Sequence, residues 1–351
     1  MTATTAATHR VRVGTTTLEV APDQTILDAA LRANAWIPHS CTQGTCGSCK
    51  LSVVCGRVDH RDSPEYTLTA DERERGMALA CMATPCGEVT VEPIGAIDES
   101  IPRHPLRDHC GTLAEITEIA DHTRRLVVDL DDDMAFNAGQ YCELVVPSTG
   151  TTPGTVVTRQ YSMANPPSET RRLEFHIKLT PGGAATERWI FSTLAVGDRL
   201  RLRGPLGQFH LVAEQTGPGI LIGGGTGLAP LCSIASHALE HNLIPEIHLY
   251  HGGRRRADLY DVERFTALAA TDSRFHYHPV LSEQEWDGAT GLVTDAVLAD
   301  FSSCKGMSGF LCGPPPMVQA GIKALKRRRM APRMIFREEF TPAIPATTPQ
   351  E

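Results

Sequence analysis

Residues 41–49, with the sequence CTQGTCGSC, place three cysteines in the spacing C-x4-C-x2-C. This spacing is typical of [2Fe–2S] clusters, which need a fourth thiolate from a distant part of the chain. Cys81 supplies a fourth cysteine, and Cys86 competes with it for this position. Gly44 and Gly47 allow the loop to curl and to direct backbone N–H groups at the sulfur atoms. The stretch therefore predicts a small iron–sulfur domain built around this loop.

A zinc site is the alternative interpretation of these cysteines. Zinc ribbons prefer two paired C-x2-C elements, and the second pair is missing from this sequence. The chain has eleven cysteines, an odd number that does not favour a disulfide framework in a chain without an export signal. Cys55 alternates with Leu51 and Val53 and is interpreted as a packed strand residue. The predicted cluster ligands are Cys41, Cys46, Cys49 and Cys81.

Composition and charge exclude several classes of protein. The 351 residues suffice for two to three domains of about 150 residues each. The formal charge of −8 argues against nucleic-acid binding, which needs a basic face. The sequence has no run of about 20 apolar residues, and residues 1–10 lack the apolar stretch of a signal peptide. We expect a cytosolic, monomeric protein that binds neither nucleic acid nor membrane.

The first predicted domain covers residues 1–93 and mixes strands with a helix. Alternating residues 9–20 predict a β-hairpin, and the apolar spacing of residues 24–34 predicts a helix. Further strands are predicted at 51–54 and 88–92, which gives an α+β domain. Residues 94–109 are broken by prolines and are predicted to be a linker.

Two further domains follow, at residues 110–213 and 214–340. The second domain has short strands at a frequency that predicts an antiparallel β-barrel or sandwich, interrupted by a helix at 184–194. In the third, strands and helices alternate, which predicts an α/β doubly wound sheet. Residues 341–351 are predicted to be a disordered tail. The predicted strands are 112–119, 123–130, 141–146, 172–179, 198–203, 219–222, 246–250, 275–280 and 309–312, and the predicted helices of the third domain lie near 228–240, 258–270, 292–300 and 315–328.

Residues 159–162, Arg-Gln-Tyr-Ser, combine groups that suit a flavin. The arginine can hold a phosphate, the tyrosine can stack on the isoalloxazine ring, and the serine can hydrogen-bond to its N5 atom. A strand-edge arginine beside a core tyrosine is the alternative. Residues 181–186 form a glycine turn that opens a predicted helix, where free N–H groups suit a pyrophosphate. The candidate flavin residues are Arg159, Gln160, Tyr161, Ser162, His176, Ile177, Lys178, Gly182, Gly183, Ala184, Ala185 and Thr186.

A second glycine loop, at residues 223–227, joins a predicted strand to a predicted helix and suits a nucleotide phosphate. The loop departs from the pattern G-x-G-x-x-G because Leu228 stands at the third glycine position. In addition, no acidic residue ends the next strand, where residues 250–253 are Tyr-His-Gly-Gly. The ordinary Rossmann fingerprint therefore fails, and another nucleotide-binding fold has to be considered.

Across almost the whole chain, the sequence resembles the ferredoxin–NAD(P)H reductase superfamily. The subgroup that it resembles has an N-terminal [2Fe–2S] ferredoxin of β-grasp fold, an FAD barrel and a nicotinamide domain. The matching motifs are the four cysteines, residues 159–162, 183–186, 223–230, 311–317 (LCGPPPM) and 338–340 (EEF). The motifs are similar to those of phenol and toluene monooxygenase reductases, and naphthalene and benzoate dioxygenase reductases share the architecture. The Leu-Ala-Cys context of Cys81 resembles that of the fourth ferredoxin ligand.

The resemblance also implies cofactors and site residues. The implied cofactors are a [2Fe–2S] cluster, FAD and NADH, with NADPH left open by the arginines at 254–256. Cys312 would lie near the reactive nicotinamide carbon, and Phe340 would cover the flavin, although the chain continues for eleven residues beyond Phe340. The implied catalytic residues are Ser162, Cys312, Glu338 and Phe340. The implied nucleotide-binding residues are Gly224, Gly225, Thr226, Gly227, Arg254, Cys312, Gly313, Pro314, Met317 and Phe340.

The implied activity is that of an oxidoreductase, the reductase component of a multicomponent oxygenase. It would take hydride from NAD(P)H onto FAD and pass single electrons through the cluster to a di-iron monooxygenase of the phenol, toluene or alkene type. A Rieske aromatic dioxygenase is the alternative partner, and a redox sensor that does not turn over NAD(P)H is the alternative class. Acidic side chains of the ferredoxin domain would steer it to a basic surface of the oxygenase. These residues are Asp59, Asp62, Glu65, Asp71, Glu72 and Glu74.

Overall fold

The computed structural model of the protein describes residues 8–95, 101–147, 157–211 and 214–341. Residues 96–100 of the predicted linker and 342–351 of the predicted tail lie outside these ranges. The chain divides into two units, Met1–Asp108 with Gly204–Gln208, and His109–Arg203 with Phe209–Glu351. The first unit contains the cysteine loop, and the second contains most of the barrel and the doubly wound sheet. The boundaries predicted for three domains stay predictions.

The first unit is a mixed sheet that packs against a short helix. Its elements are β1 (His9–Val13), β2 (Thr16–Val20), α1 (Ile26–Arg32), β3 (Lys50–Cys55), β4 (Val58–Asp59), α2 (Ala70–Glu74), β5 (Met77–Leu79), β6 (Thr84–Pro85) and β7 (Val89–Pro93). The main sheet has the order β2-β1-β7-β3-β5, and β4 pairs with β6. Strand alternation buries Val11 opposite Leu18, and the Thr25 hydroxyl caps α1 by accepting the Asp28 N–H at 3.2 Å. The predicted β-grasp fold is confirmed.

The barrel is a six-stranded sheet. Its strands are β8 (Arg107–Ala120), β9 (Thr123–Leu130), β10 (Tyr141–Val146), β11 (Val157–Ser162), β12 (Arg172–Lys178) and β13 (Arg199–Leu206). The order is β11-β10-β13-β8-β9-β12, and a bridge between Met163 and Phe175 joins the two ends of the sheet. This bridge brings the end strands β11 and β12 together, so the sheet curves toward a closed barrel.

A parallel sheet with helices on both faces completes the second unit. Its elements are β14 (Gly219–Gly224), α3 (Leu228–His241), β15 (Ile247–Gly253), α4 (Val262–Thr271), β16 (Phe275–Leu281), β17 (Ala289–Thr290), α5 (Val293–Asp300), β18 (Ser308–Gly313), α6 (Pro315–Arg327) and β19 (Ile335–Glu339). The order is β17-β16-β15-β14-β18-β19. Leu221 faces the core under α3 and α4, whereas Ile220 and Ile222 face the core under α5 and α6. The predicted doubly wound fold is confirmed.

The Arg-Gln-Tyr-Ser motif forms the last four residues of β11. The helix predicted in this domain differs from the structure. The helix expected at 184–194 is a five-residue π-helix, Thr186–Ile190. Its wider turn appears in the bonds from Ile190 N–H to Ala185 O, 2.9 Å, and from Phe191 N–H to Thr186 O, 2.8 Å.

Candidate electron-transfer site

The cysteine loop brings its sulfur atoms together as two pairs. The Cys46 N–H donates to Cys41 Sγ at 3.3 Å, and the Cys41 N–H donates to Cys46 Sγ at 3.4 Å. The sulfur atoms of Cys49 and Cys81 lie 3.1 Å apart. Gly44 permits the curl, because its φ is +77° and an added Cβ would lie 3.0 Å from Met82 Cγ.

Two pairs fit two metal ions better than one. A single tetrahedral zinc would draw all four sulfurs into one group about 3.7 Å apart. In this structure Cys41 pairs with Cys46, and Cys49 pairs with Cys81. The hydrogen bond from Cys46 lowers the pKa of Cys41 to about 5, and that from Cys81 lowers the pKa of Cys49. Each pair therefore favours one thiolate, at Cys41 and at Cys49, whereas the same hydrogen bonds raise the pKa of Cys46 and of Cys81. A cluster needs all four thiolates, and backbone N–H groups already reach the sulfurs of Cys41 and Cys46.

The competing cysteines lie elsewhere in the first unit. Cys86 is exposed, and its N–H bonds to Arg57 O at 3.0 Å beside the small β4–β6 sheet. Cys55 is also exposed at the end of β3, so the expectation of a packed side chain at Cys55 is wrong. The strand bulges between Val53 and Cys55, which breaks the alternation on which that expectation depended. Because the Cys81 sulfur lies 3.1 Å from that of Cys49, the structure supports Cys81 as the fourth ligand.

Strand β11 presents the flavin motif. Arg159 and Tyr161 share one face by strand alternation, and Ser162 is buried at the strand end. Tyr161 packs at the edge of the barrel core, and burial raises its pKa. The Arg159 guanidinium donates to Thr158 O at 2.7 Å. A neutral aromatic ring, a cation and a hydroxyl therefore lie within one short strand, as a flavin and its phosphate require.

The glycine turn at 182–186 differs from the expectation of free N–H groups. Gly182, with a φ of +72°, donates its N–H to Glu187 Oε2 at 2.6 Å. The Thr186 hydroxyl accepts the Thr180 N–H at 3.1 Å and donates to Thr180 O at 3.0 Å. The carboxylate of Glu187 occupies the position predicted for a phosphate oxygen, so the turn does accept an anionic group.

The triplet 176–178 divides among three environments. His176 is buried, with Nε2 2.7 Å from Glu174 Oε1 and Nδ1 3.2 Å from the Tyr260 hydroxyl. Ile177 belongs to the barrel core. Lys178 reaches a cavity at the end of the parallel sheet, with Nζ 3.7 Å from Asp258 Oδ1. Only this third side chain lines the cavity into which the nucleotide motifs converge.

That cavity has a volume of about 570 Å³ and lies at the carboxyl ends of the parallel strands, where α/β sheets bind ligands. The predicted site residues that line it are Lys178, Gly224, Gly225, Thr226, Arg254, Pro314, Met317 and Phe340. The lining residues that sequence reasoning missed are Gly252, Gly253, Asp258, Val280, Ser282, Gly291, Leu292 and Val293. The glycine pair at 252–253 was the available signal, because it ends a parallel strand.

Close backbone packing shapes the floor of the cavity. A Cβ at Gly227 would lie 2.2 Å from Cys312 O, and a Cβ at Gly224 would lie 2.7 Å from Met317 Sδ. The Phe340 N–H donates to Gly313 O at 2.9 Å, which fixes the aromatic residue at the cavity wall. Glycine at these positions therefore lets the two strands approach as a nucleotide-binding loop requires.

Four of the predicted residues support the cavity without lining it: Gly227, Cys312, Gly313 and Glu338. Cys312 is fully buried, and burial raises its pKa well above the ordinary range. Glu338 pairs with Cys312 across β18 and β19. Their proposed catalytic roles stay predictions.

Comparisons with known proteins agree with this geometry. Three family models match: a 2Fe-2S iron-sulfur cluster binding domain at residues 11–86, an oxidoreductase FAD-binding domain at 110–211 and an oxidoreductase NAD-binding domain at 221–322. The reductase subunit of an aromatic O-demethylase from Amycolatopsis sp. is 50% identical over 341 residues, which are 96% of this chain and 99% of that protein. The chain belongs to the iron–sulfur flavoprotein reductases of multicomponent oxygenases.

Other relatives of this reductase serve different oxygenases. The phenol 2-monooxygenase reductase component DmpP from Pseudomonas sp. is 40% identical over 92% of this chain and 91% of its own. The crystal structure of the Amycolatopsis cytochrome P450 reductase GcoB matches with a TM-score of 0.88 at 49% identity, covering 96% of this chain and 100% of that one.

The predicted cofactors of the reductase, a [2Fe–2S] cluster, FAD and NAD(P)H, are confirmed by the three family models. The predicted activity, transfer of electrons from NADH through FAD and the cluster, is confirmed by the relatives. Among the residues that the structure describes, no helix has the length and apolar character needed to cross a bilayer. The cytosolic location and the monomeric state stay predictions.

Proposed function

We propose that this reductase supplies electrons to a cytochrome P450 that O-demethylates aromatic compounds. The observation that carries this proposal is the 50% identity, over nearly the full length of both chains, to the reductase subunit of an aromatic O-demethylase. The 49% identical structure, described as a cytochrome P450 reductase, supports the same partner.

The residues that line the cavity bind and position the nucleotide for hydride transfer. When bound, FAD accepts hydride from the nicotinamide and the cluster carries electrons one at a time. Lys178 and Arg254 bring positive charge to the cavity for the nucleotide phosphates. Phe340, held at the cavity wall by its bond to Gly313, would shield a bound flavin from water and would yield its place to the nicotinamide ring. The protein thus acts by positioning two rings rather than by acid–base chemistry.

The oxygenase docks beside the cysteine loop of the first unit. Thr67 Oγ1 donates to Thr45 O at 3.4 Å, and Pro64 packs beside Gly44, so the segment carrying Tyr66 lies against this loop. The Tyr66 side chain is 70% exposed, which is unusual for an aromatic residue and typical of an interface anchor.

Exposed carboxylates stand on both sides of Tyr66 in the sequence. They are those of Asp59, Asp62, Glu65, Asp71 and Glu74. Glu72, the sixth acidic residue that the sequence suggested, is instead half-buried in an ion pair with Lys50 at 2.5 Å. An acidic rim steers a partner with a basic surface and makes the association rate depend on salt.

Reconstitution with purified oxygenases tests the proposal. NADH oxidation that depends on an aromatic methyl ether, together with formaldehyde release, is expected with an O-demethylating cytochrome P450. Tyr66→Ala should lower this coupled rate about tenfold or more, as the loss of an interface anchor does, and leave NADH-dependent ferricyanide reduction unchanged. If the P450 receives no electrons while a di-iron phenol hydroxylase does, the proposed partner is wrong.

A di-iron phenol hydroxylase is the second candidate, as the sequence motifs predicted. It is supported by the 40% identity to the phenol 2-monooxygenase reductase component over 328 residues. The Rieske alternative is supported by the 36% identical reductase component of a naphthalene dioxygenase and salicylate hydroxylase system. The same reconstitution, with each oxygenase in turn, ranks the three partners by their rates of electron transfer.

A further inference from the structure

Two histidines and a glutamate form a compact group at the beginning of β15 and β16. His248 and His276 are directly opposite each other in the parallel register, so their side chains share one face of the sheet. Glu246 lies two residues before His248, a spacing that returns to the same face. The cavity that binds the nucleotide is at the other end of these strands, near Gly252 and Gly253.

The three side chains direct ligand atoms at one point. Glu246 Oε1 lies 3.2 Å from His248 Nε2 and 2.9 Å from His276 Nε2. The two imidazole rings stack with their centroids 4.6 Å apart and an angle of 17° between the planes. The three ligand atoms all lie within 4.8 Å of one another, so small side-chain movements can bring them to the usual zinc–nitrogen and zinc–oxygen bond length of about 2.0–2.2 Å from one ion.

We propose that Glu246, His248 and His276 bind a divalent transition-metal ion of the zinc type. Two imidazole nitrogens and one carboxylate oxygen are a ligand set that such ions prefer, and water completes the coordination. The side chains of Glu246 and His276 are 44% and 39% exposed, which leaves an entry path from solvent.

A second layer of contacts orients the His248 ring for this purpose. His248 Nδ1 lies 3.4 Å from His278 Nε2, and His278 Nδ1 lies 3.6 Å from Asp300 Oδ2. With the proton of His248 on Nδ1 and directed at His278, its Nε2 carries a free lone pair toward the metal.

Two other groups of potential metal ligands lack ligands from two neighbouring strands with a free carboxylate. In the group of Glu174, His176 and Asp261, Arg125 already neutralises Glu174 with its Nε 3.1 Å away, so these residues form a salt-bridge network. His237, Glu240 and His241 lie within a single turn at the end of α3, without a partner strand. This helical group provides a matched control, because it also places two histidines and a glutamate together.

The ion would tie β15 to β16 rather than take part in electron transfer. Its ligands come from two strands and lie at the opposite end of the sheet from the nucleotide cavity. Metal binding to the folded state alone should therefore raise the thermal stability of the protein and leave NADH turnover unchanged.

Equilibrium dialysis of the cofactor-loaded full-length protein against ZnCl₂ tests the site, with zinc and iron counted by mass spectrometry. We expect the His276→Gln variant to bind one zinc fewer per chain than the wild type at the same free zinc, with at least tenfold weaker affinity. Glu246→Gln, a change of a half-exposed side chain, should have the same effect if His276→Gln folds poorly. The control His241→Gln should keep the zinc, and iron content should be constant throughout, which excludes exchange at the cysteines.

Zinc should also raise the melting temperature of the wild type and of His241→Gln but not that of His276→Gln. Equal zinc binding by the wild type, His276→Gln and Glu246→Gln would overturn the proposal. In that case the group around His248 is a set of hydrogen bonds only.

Discussion

Gly227→Ala is expected to disable the nucleotide loop while leaving the fold intact. The added Cβ would lie 2.2 Å from Cys312 O, 2.5 Å from Cys312 C and 2.7 Å from Gly313 Cα. All three are backbone atoms, which cannot rotate away, so the loop must move off β18. Overpacking of this kind costs about 1–3 kcal/mol, which is roughly 5- to 160-fold in kcat/KM if the whole cost falls on nicotinamide positioning.

Steady-state reduction of ferricyanide by NADH measures this effect, with kcat and KM determined separately. Gly306→Ala is the matched control, because Gly306 has a φ of +79° and open space around its added Cβ. The control should lose stability by about 1 kcal/mol from backbone strain and keep its kcat/KM. If Gly227→Ala retains kcat/KM within twofold of the wild type, the loop does not hold the nucleotide through its contact with Cys312, and the reasoning fails.

Three further outcomes are expected. Cys86→Ser should keep the full iron and sulfide content, and loss of iron in this variant would return Cys86 to the ligand set. Burial raises the pKa of Glu174, but the hydrogen bond and charge of His176, together with the charges of Arg125 and Arg264, outweigh this effect and lower it to about 2, below its ordinary 4.5. This lowered pKa stabilises the folded protein by roughly 3 kcal/mol above about pH 4.5, and the stabilisation is lost as the pH falls toward 2. Glu174→Gln should therefore be less stable than the wild type at pH 7 and equally stable near pH 2. A difference in unfolding free energy that does not change with pH would contradict this. Arg254 Nε lies 3.6 Å from Glu283 Oε1, so Glu283→Gln should free the arginine for a 2′-phosphate and raise kcat/KM for NADPH several-fold with NADH unchanged; equal changes for both nucleotides would show that this pair does not face the 2′ position.

The cluster loop was predictable because its chemistry is local in sequence. Three of its four ligands lie within nine residues, and the glycines between them impose the curl that the loop adopts. The choice between Cys81 and Cys86 was not local, since it depends on how β5 returns the chain to Cys49. Resemblance to known ferredoxins indicated Cys81, and the sulfur contact supports it.

The nucleotide cavity was only half predictable. The loop at 223–227 carries its own glycine signal, but Asp258, Val280 and Leu292 reach the cavity because the parallel sheet gathers the ends of separate strands. No spacing in the sequence encodes that convergence. The contacts of the His176 side chain were not predictable either, since Glu174 and the Tyr260 hydroxyl come from different parts of the chain, and its cofactor contact stays a prediction.

The π-helix at 186–190 was missed for a physical reason. Its apolar spacing is compatible with an α-helix, whereas the first residue of the π-helix, Thr186, bonds through its hydroxyl back to Thr180, outside the helix. Helix propensity, which describes each residue by itself, does not include such a side-chain contact.

An anaerobic titration with NADH, followed by visible absorbance, tests the central claim most directly. NADH delivers two electrons, whereas FAD and the cluster together take three, so the wild type should bleach both chromophores with about 1.5 equivalents. Cys46→Ser should require about one equivalent, reduce ferricyanide at close to the wild-type rate and fail to reduce a one-electron protein acceptor. Wild-type protein that needs only one equivalent and contains neither iron nor inorganic sulfide would contradict the account.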